Sequence, residues 1–95
     1  MLSKIPIILH ESMGKEDPGK EILRAAIIAE LDAINLYEQM AAMTQDNETQ
    51  KVLLDIAKEE KTHVGEFLTL LLKKDGEQGA ELEKGKKEIE GLTGK

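Results

Sequence analysis

Between residues 21 and 43, apolar side chains recur every three or four positions, with no proline or glycine among them. Such spacing lays one apolar stripe along a helix of 3.6 residues per turn, so the pattern predicts a helix from Glu21 to Met43, roughly 35 Å long at about 1.5 Å per residue. Asp17 followed by Pro18 reads as an N-cap and a proline at the first helical position. The polar run Thr44, Gln45, Asp46, Asn47 breaks the period. Asp46 or Thr44 can cap a second helix running to about Lys74. Lys73 and Lys74 in its last turn complement the helix dipole, and Gly76 reads as its stop. So short a connection makes the two helices antiparallel neighbours.

Outside this hairpin the pattern weakens. Residues 1–17 show no sustained period; Pro6, Gly14 and the run Lys15, Glu16, Asp17 read as an irregular arm. After Gly76, four further glycines (Gly79, Gly85, Gly91 and Gly94) punctuate a charged stretch whose larger apolar residues are Leu82, Ile89 and Leu92. A short third helix is expected there. No stretch alternates apolar and polar residues for long, so strands are not expected. The expected organisation is an all-α chain: an arm over 1–17, an antiparallel two-helix hairpin over 18–75 and a C-terminal helix or tail over 76–95.

Composition narrows what this chain can do. It has 95 residues, with one Phe, one Tyr and no Trp, so it is short of large side chains for a core of its own. Oligomerisation is the usual remedy. There is no cysteine, which removes disulfides, thiolate metal sites and a thiol nucleophile, and makes the cytoplasm the expected compartment. Any metal must therefore be held by oxygen and imidazole. With 13 Lys plus Arg against 19 Asp plus Glu and a net charge of -6, the chain is not expected to bind nucleic acid, whose affinity rests on neutralising many phosphates. The longest nearly apolar run, Ile5 to Leu9, is too short to cross a bilayer, so no membrane partner is expected.

The candidate chemistry lies on the helix seams. In the first helix a 4-3-4-3 ladder runs Leu23, Ile27, Glu30, Ile34, Tyr37, Ala41, interrupted by one carboxylate. The second has a matching ladder, Leu53, Ile56, Glu60, His63, Phe67, Leu70, with two adjacent polar rungs. A buried unpaired carboxylate costs several kcal/mol, so these positions need a compensating partner, and a cation is one. Glu60 and His63 are three apart and project from one face; Glu30 faces them from the other helix. Two carboxylates and an imidazole suit Fe, Mn or Zn, and oxygen-rich sites that bridge two ions suit iron cycling between ferrous and ferric states.

Di-iron carboxylate bundles use a Glu from each of two helices and a Glu-x-x-His from each of two others. This chain carries half of that set. A second copy across a two-fold axis would supply the other half, forming a four-helix bundle and the site together. Tyr37 could donate a hydrogen bond to a ligand carboxylate or to bound oxygen. Asp32 does not share the face of Glu30 and is read as an ion-attracting residue on the way in. Glu59 and Glu66 are neighbouring acids, Met40 and Met43 read as core filler, and His10 belongs to the arm.

The stretch IIAELDAINLYEQMA, followed thirty residues on by EEKTHVGEFL, resembles the encapsulated ferritins, compact ferritin-like proteins carried inside encapsulin shells. The resemblance spans about Glu21 to Leu72. It implies a ring of dimers, commonly a decamer. It also implies a ferroxidase centre at the dimer interface made by Glu30, Glu60 and His63 of both chains and holding two iron ions. Tyr37 aligns with the family's tyrosine beside that centre. The acidic residue that precedes the ligand Glu in some members is Ala29 here, whereas Asp32 matches a further acidic position that guides iron. Leu36 stands where some members have Trp. The resemblance implies oxidation of Fe(II) for iron storage inside an encapsulin nanocompartment, with the shell protein as partner. Residues 90–95 do not resemble a cargo peptide, which leaves both a separate cargo chain and a domain fused ahead of the shell open.

Rival classes remain. A non-catalytic helical metal-binding or oligomerisation module would show no iron-dependent oxidation. A rubrerythrin-like peroxidase would want a cysteine-ligated electron carrier. A zinc hydrolase would hold one ion with an open water position.

Overall fold

The computed structural model describes residues 18–95. Among them are three helices, α1 (Gly19–Met43), α2 (Asn47–Lys74) and α3 (Gly76–Thr93), and no strand. The arm expected over 1–17, with His10 and the N-cap expected at Asp17, lies outside the described residues. Pro18 occupies the cap position rather than the first helical turn: its φ of -79° and ψ of 15° are not helical, while its carbonyl accepts the first bond from the Ile22 amide at 2.9 Å.

α1 and α2 form an antiparallel hairpin. The contacts run in opposite directions along the two helices: the Gln50 side-chain Nε2 donates to the Ala41 carbonyl near the turn, Lys61 meets Glu38 midway, and Arg24 meets Asp75 at the far end. The turn is fixed by Asp46, whose carboxylate accepts from the Thr49 amide at 3.0 Å, while its own amide donates to the Thr44 hydroxyl at 3.2 Å. Asp46 is thus the cap, and Thr44 braces the residue that caps.

The core is thin. Among the described residues the buried ones are Leu23, Ala25, Ala33, Ile34, Ala41, Ala57 and Leu71, and the four alanines among them let the helix backbones approach closely without supplying much apolar area. The expected α1 ladder is buried or half-buried throughout. On α2 the seam is rotated from expectation: Leu71 is 3% exposed and Leu70 47%. The buried residues of α2 are Ala57 and Leu71, while Leu53, Ile56, Glu60, His63 and Phe67 of the expected ladder are half-buried, so it is Leu70 that falls outside the seam, on the flank that carries His63. The small Ala57 draws α1 against that seam, a preference that a scan for large apolar residues overlooks.

Gly76 does not stop the chain's helical course. Asp75 serves as C-cap of α2 and N-cap of α3, and Gly76 opens an 18-residue helix. α3 is therefore longer than the short helix expected from its glycines. Each interior glycine costs about 0.5–1 kcal/mol relative to alanine, but both ends are capped: Asp75 accepts from the Gln78 amide at 3.1 Å, and Gly94 takes the left-handed φ of 75° that suits a residue without Cβ. The Asp-x-x-Gln spacing of Asp75 and Gln78 is a helix-start signal in the sequence itself.

Two outcomes follow for stability. Leu71→Ala should destabilise by about 2–5 kcal/mol, the range for a buried Leu truncated to Ala, as read from chemical denaturation. The Thr49 hydroxyl, then the Thr49 amide, hold the Asp46 carboxyl below its ordinary value of 3.8. A lowered folded value adds stability that is fully present above the unfolded value and disappears as pH falls through the folded one. The melting-temperature gap between wild type and Asp46→Ala should therefore be wide at neutral pH and close only below the usual carboxylate range.

Candidate metal centre

Glu30 enters the groove between α1 and α2 because it replaces an aliphatic rung in the middle of the α1 seam. Glu60 takes the equivalent place on α2, and His63 sits one turn further along. The antiparallel register brings all three to one level. His63 Nδ1 lies 3.3 Å from Glu30 Oε2 and 3.5 Å from Glu60 Oε2. One ligand atom from each residue falls within 4.8 Å of the others, and among the described residues this is the only such group of three or more acidic or imidazole side chains.

The environment is partly covered. The Glu30 and Glu60 side chains are 19% and 18% exposed, whereas His63 is 44% exposed. The carboxylates point into the groove and the imidazole stands at its lip. Two carboxylates within 4.8 Å repel by about 3 kcal/mol at an effective dielectric of about 20. A positive charge between them, such as a bound cation, offsets that. The donor set of two hard oxygens and one imidazole fits a first-row divalent metal.

The site opens on one flank of the hairpin. Lys61 precedes His63 by two residues, about 200° round the helix, and its pair with Glu38 at 3.1 Å marks the opposite flank. Val52 and Leu70, separated from His63 by 11 and 7 residues, share its stripe and are 58% and 47% exposed. The imidazole thus stands at an open edge where the two exposed apolar residues Val52 and Leu70 flank the exposed acids Glu59 and Glu66.

Of the other residues singled out, Tyr37 is half-buried on the α1 seam, two turns from Glu30. Among the described residues its hydroxyl makes no hydrogen bond to Glu30 or Glu60. Asp32, Glu59 and Glu66 are exposed and outside the cluster. Met40 is half-buried and Met43 81% exposed, so Met43 is not core.

A sequence profile of the rubrerythrin family matches residues 21–92. The chain is 64% identical over 95 residues to a ferritin-like–encapsulin shell fusion protein of Pyrococcus furiosus, covering 99% of this chain and 28% of that protein. It thus spans little more than a quarter of that relative's length. The crystal structure of an encapsulated ferritin domain from Pyrococcus furiosus superposes with a TM-score of 0.81 at 50% identity, covering 94% of this chain and 97% of that one.

The geometry predicts opposite effects of one substitution in two conditions. In metal-free protein, Glu30→Gln should not lower the melting temperature, because it relieves repulsion between carboxylates. With Co(II) or anaerobic Fe(II), the wild type should gain stability that the variant lacks, since a ligand that binds the folded state stabilises it. Differential scanning fluorimetry in the two buffers reads both effects.

Proposed function

Because the chain belongs to the rubrerythrin family of ferritin-like proteins, among the encapsulated ferritins, we propose that it oxidises Fe(II) to Fe(III) with dioxygen at a two-iron site shared by two copies. The observation that carries this reading is the convergence of Glu30, Glu60 and His63 within 4.8 Å in a groove whose lip leaves the imidazole 44% exposed.

Each residue has a distinct task. Glu30 and Glu60, from different helices, present carboxylate oxygens that would hold iron. His63 presents Nδ1 toward both carboxylates, a neutral nitrogen ligand once its proton is displaced. A two-fold-related copy completes the pair of Glu and the pair of Glu-x-x-His that ferritin-like di-iron bundles use. Two Fe(II) ions held there would supply two electrons to dioxygen, which with two protons from solvent would leave as hydrogen peroxide. The groove walls, Ile27, Ile34, Ile56 and Phe67, are half-buried or buried and limit water at the ligands, which strengthens every charge interaction there. Tyr37 donates a hydrogen bond to a ligand carboxylate in the assembled dimer. Asp32, on the outside of α1, attracts cations toward the site.

Thin cores and exposed apolar residues on both helices, such as Ile22, Ile28, Leu31 and Leu54, support association beyond the dimer, so the assembled form is an even-numbered ring, a decamer by family resemblance. The relative fused to an encapsulin shell supports action inside an encapsulin compartment, where oxidised iron is stored. Among the described residues no helix is long and apolar enough to cross a membrane.

Stopped-flow absorbance after mixing Fe(II) with aerobic protein should show ferric species forming faster than in buffer. His63→Ala should lose that gain and bind less iron. A variant as fast as the wild type would overturn the site; iron bound without faster oxidation would leave a non-catalytic metal-binding module.

A further inference from the structure

α3 has little to hold it in place. None of its residues is buried, and it packs on α2 and not on α1. Where it crosses α2, Gly79 lies against Leu72, whose Cδ2 would sit 3.8 Å from a Cβ at that position. The stripe formed by Leu82, Ile89 and Leu92 is exposed.

By contrast, Asp75 is tied to all three helices. Its amide donates to the Leu71 carbonyl of α2 at 2.9 Å, and its carbonyl accepts from the Gly79 amide of α3 at 3.4 Å. One carboxylate oxygen accepts from the Gln78 amide at 3.1 Å, and the other accepts from Arg24 Nη2 of α1 at 2.9 Å. The side chain is 13% exposed. It is also the single non-helical residue between Lys74 and Gly76, with φ -135° and ψ 86°. The pivot of α3 is therefore the residue that α1 grips.

We propose that Asp75 is a clasp that sets the angle at which α3 leaves the hairpin, with Arg24 as its anchor. Turning α3 about the pivot carries the Gln78 amide with the helix start while Arg24 holds the carboxylate, so a large swing breaks one of the two bonds. Lys20, one turn before Arg24, adds attraction for the same carboxylate. The clasp fixes the direction in which the apolar stripe of α3 is presented, a direction that the sparse packing of α3 does not set.

The chain has no cysteine, so spin labels at Lys58→Cys on α2 and Glu88→Cys on α3 report their separation by pulsed electron resonance. Labelled chains are diluted into unlabelled ones so that only distances within one chain are read. The background protein should give one narrow distance. Arg24→Gln keeps the helix cap and removes the anchor; Asp75→Ala removes both. Each should lose the narrow distance, and Arg24→Gln should do so with its helical circular dichroism intact. If either variant keeps the narrow distribution, the clasp is overturned. If Asp75→Ala unwinds α3, Arg24→Gln alone decides: a narrow distance rejects the proposal and a broad one supports it.

Discussion

Two carboxylates and an imidazole meet in the groove of a hairpin that has few other resources. Their mutual repulsion is a cost set against a core that, among the described residues, has seven buried side chains, four of them alanine. A lone hairpin with so little apolar burial is poorly placed to carry it. Charge from a cation and apolar area from a neighbouring copy each relieve one side of that deficit. The open edge of the site lies on the flank of α2 that also exposes Val52 and Leu70. On this account metal binding and pairing of chains are one event.

The small residues fit the same logic. Ala33, Ala41 and Ala57 bring α1 and α2 close enough for side chains from both helices to reach one point. Bulkier residues there would add burial and push the helices apart, which would pull Glu30 away from His63. Stability within the single chain is thus traded against the geometry of the site, a deficit that the proposed association between chains would make up.

Much of this was legible in the sequence. The α1 ladder, the turn at Thr44–Asn47, the cap at Asp46 and the convergence of Glu30, Glu60 and His63 follow from helical period and cap chemistry, which are local and short-ranged. What escaped depends on tertiary detail or on weighing competing local signals. Leu70 and Leu71 fit the period about equally, and only the approach of α1 over Ala57 chooses between them. Glycines suggested that the chain would break after Gly76, yet Asp75 and Gln78 supplied a start signal strong enough to carry a helix to Thr93. The bond between Arg24 and Asp75 joins residues 51 apart, and no local pattern announces it.

Half a site per chain is the central claim, and its stoichiometry can be counted directly. Native mass spectrometry of the protein titrated anaerobically with Fe(II) should show ions taken up in even-numbered oligomers, saturating at two irons for every two chains. Monomers that each hold iron at saturation, or oligomers whose mass does not change as iron is added, would contradict it.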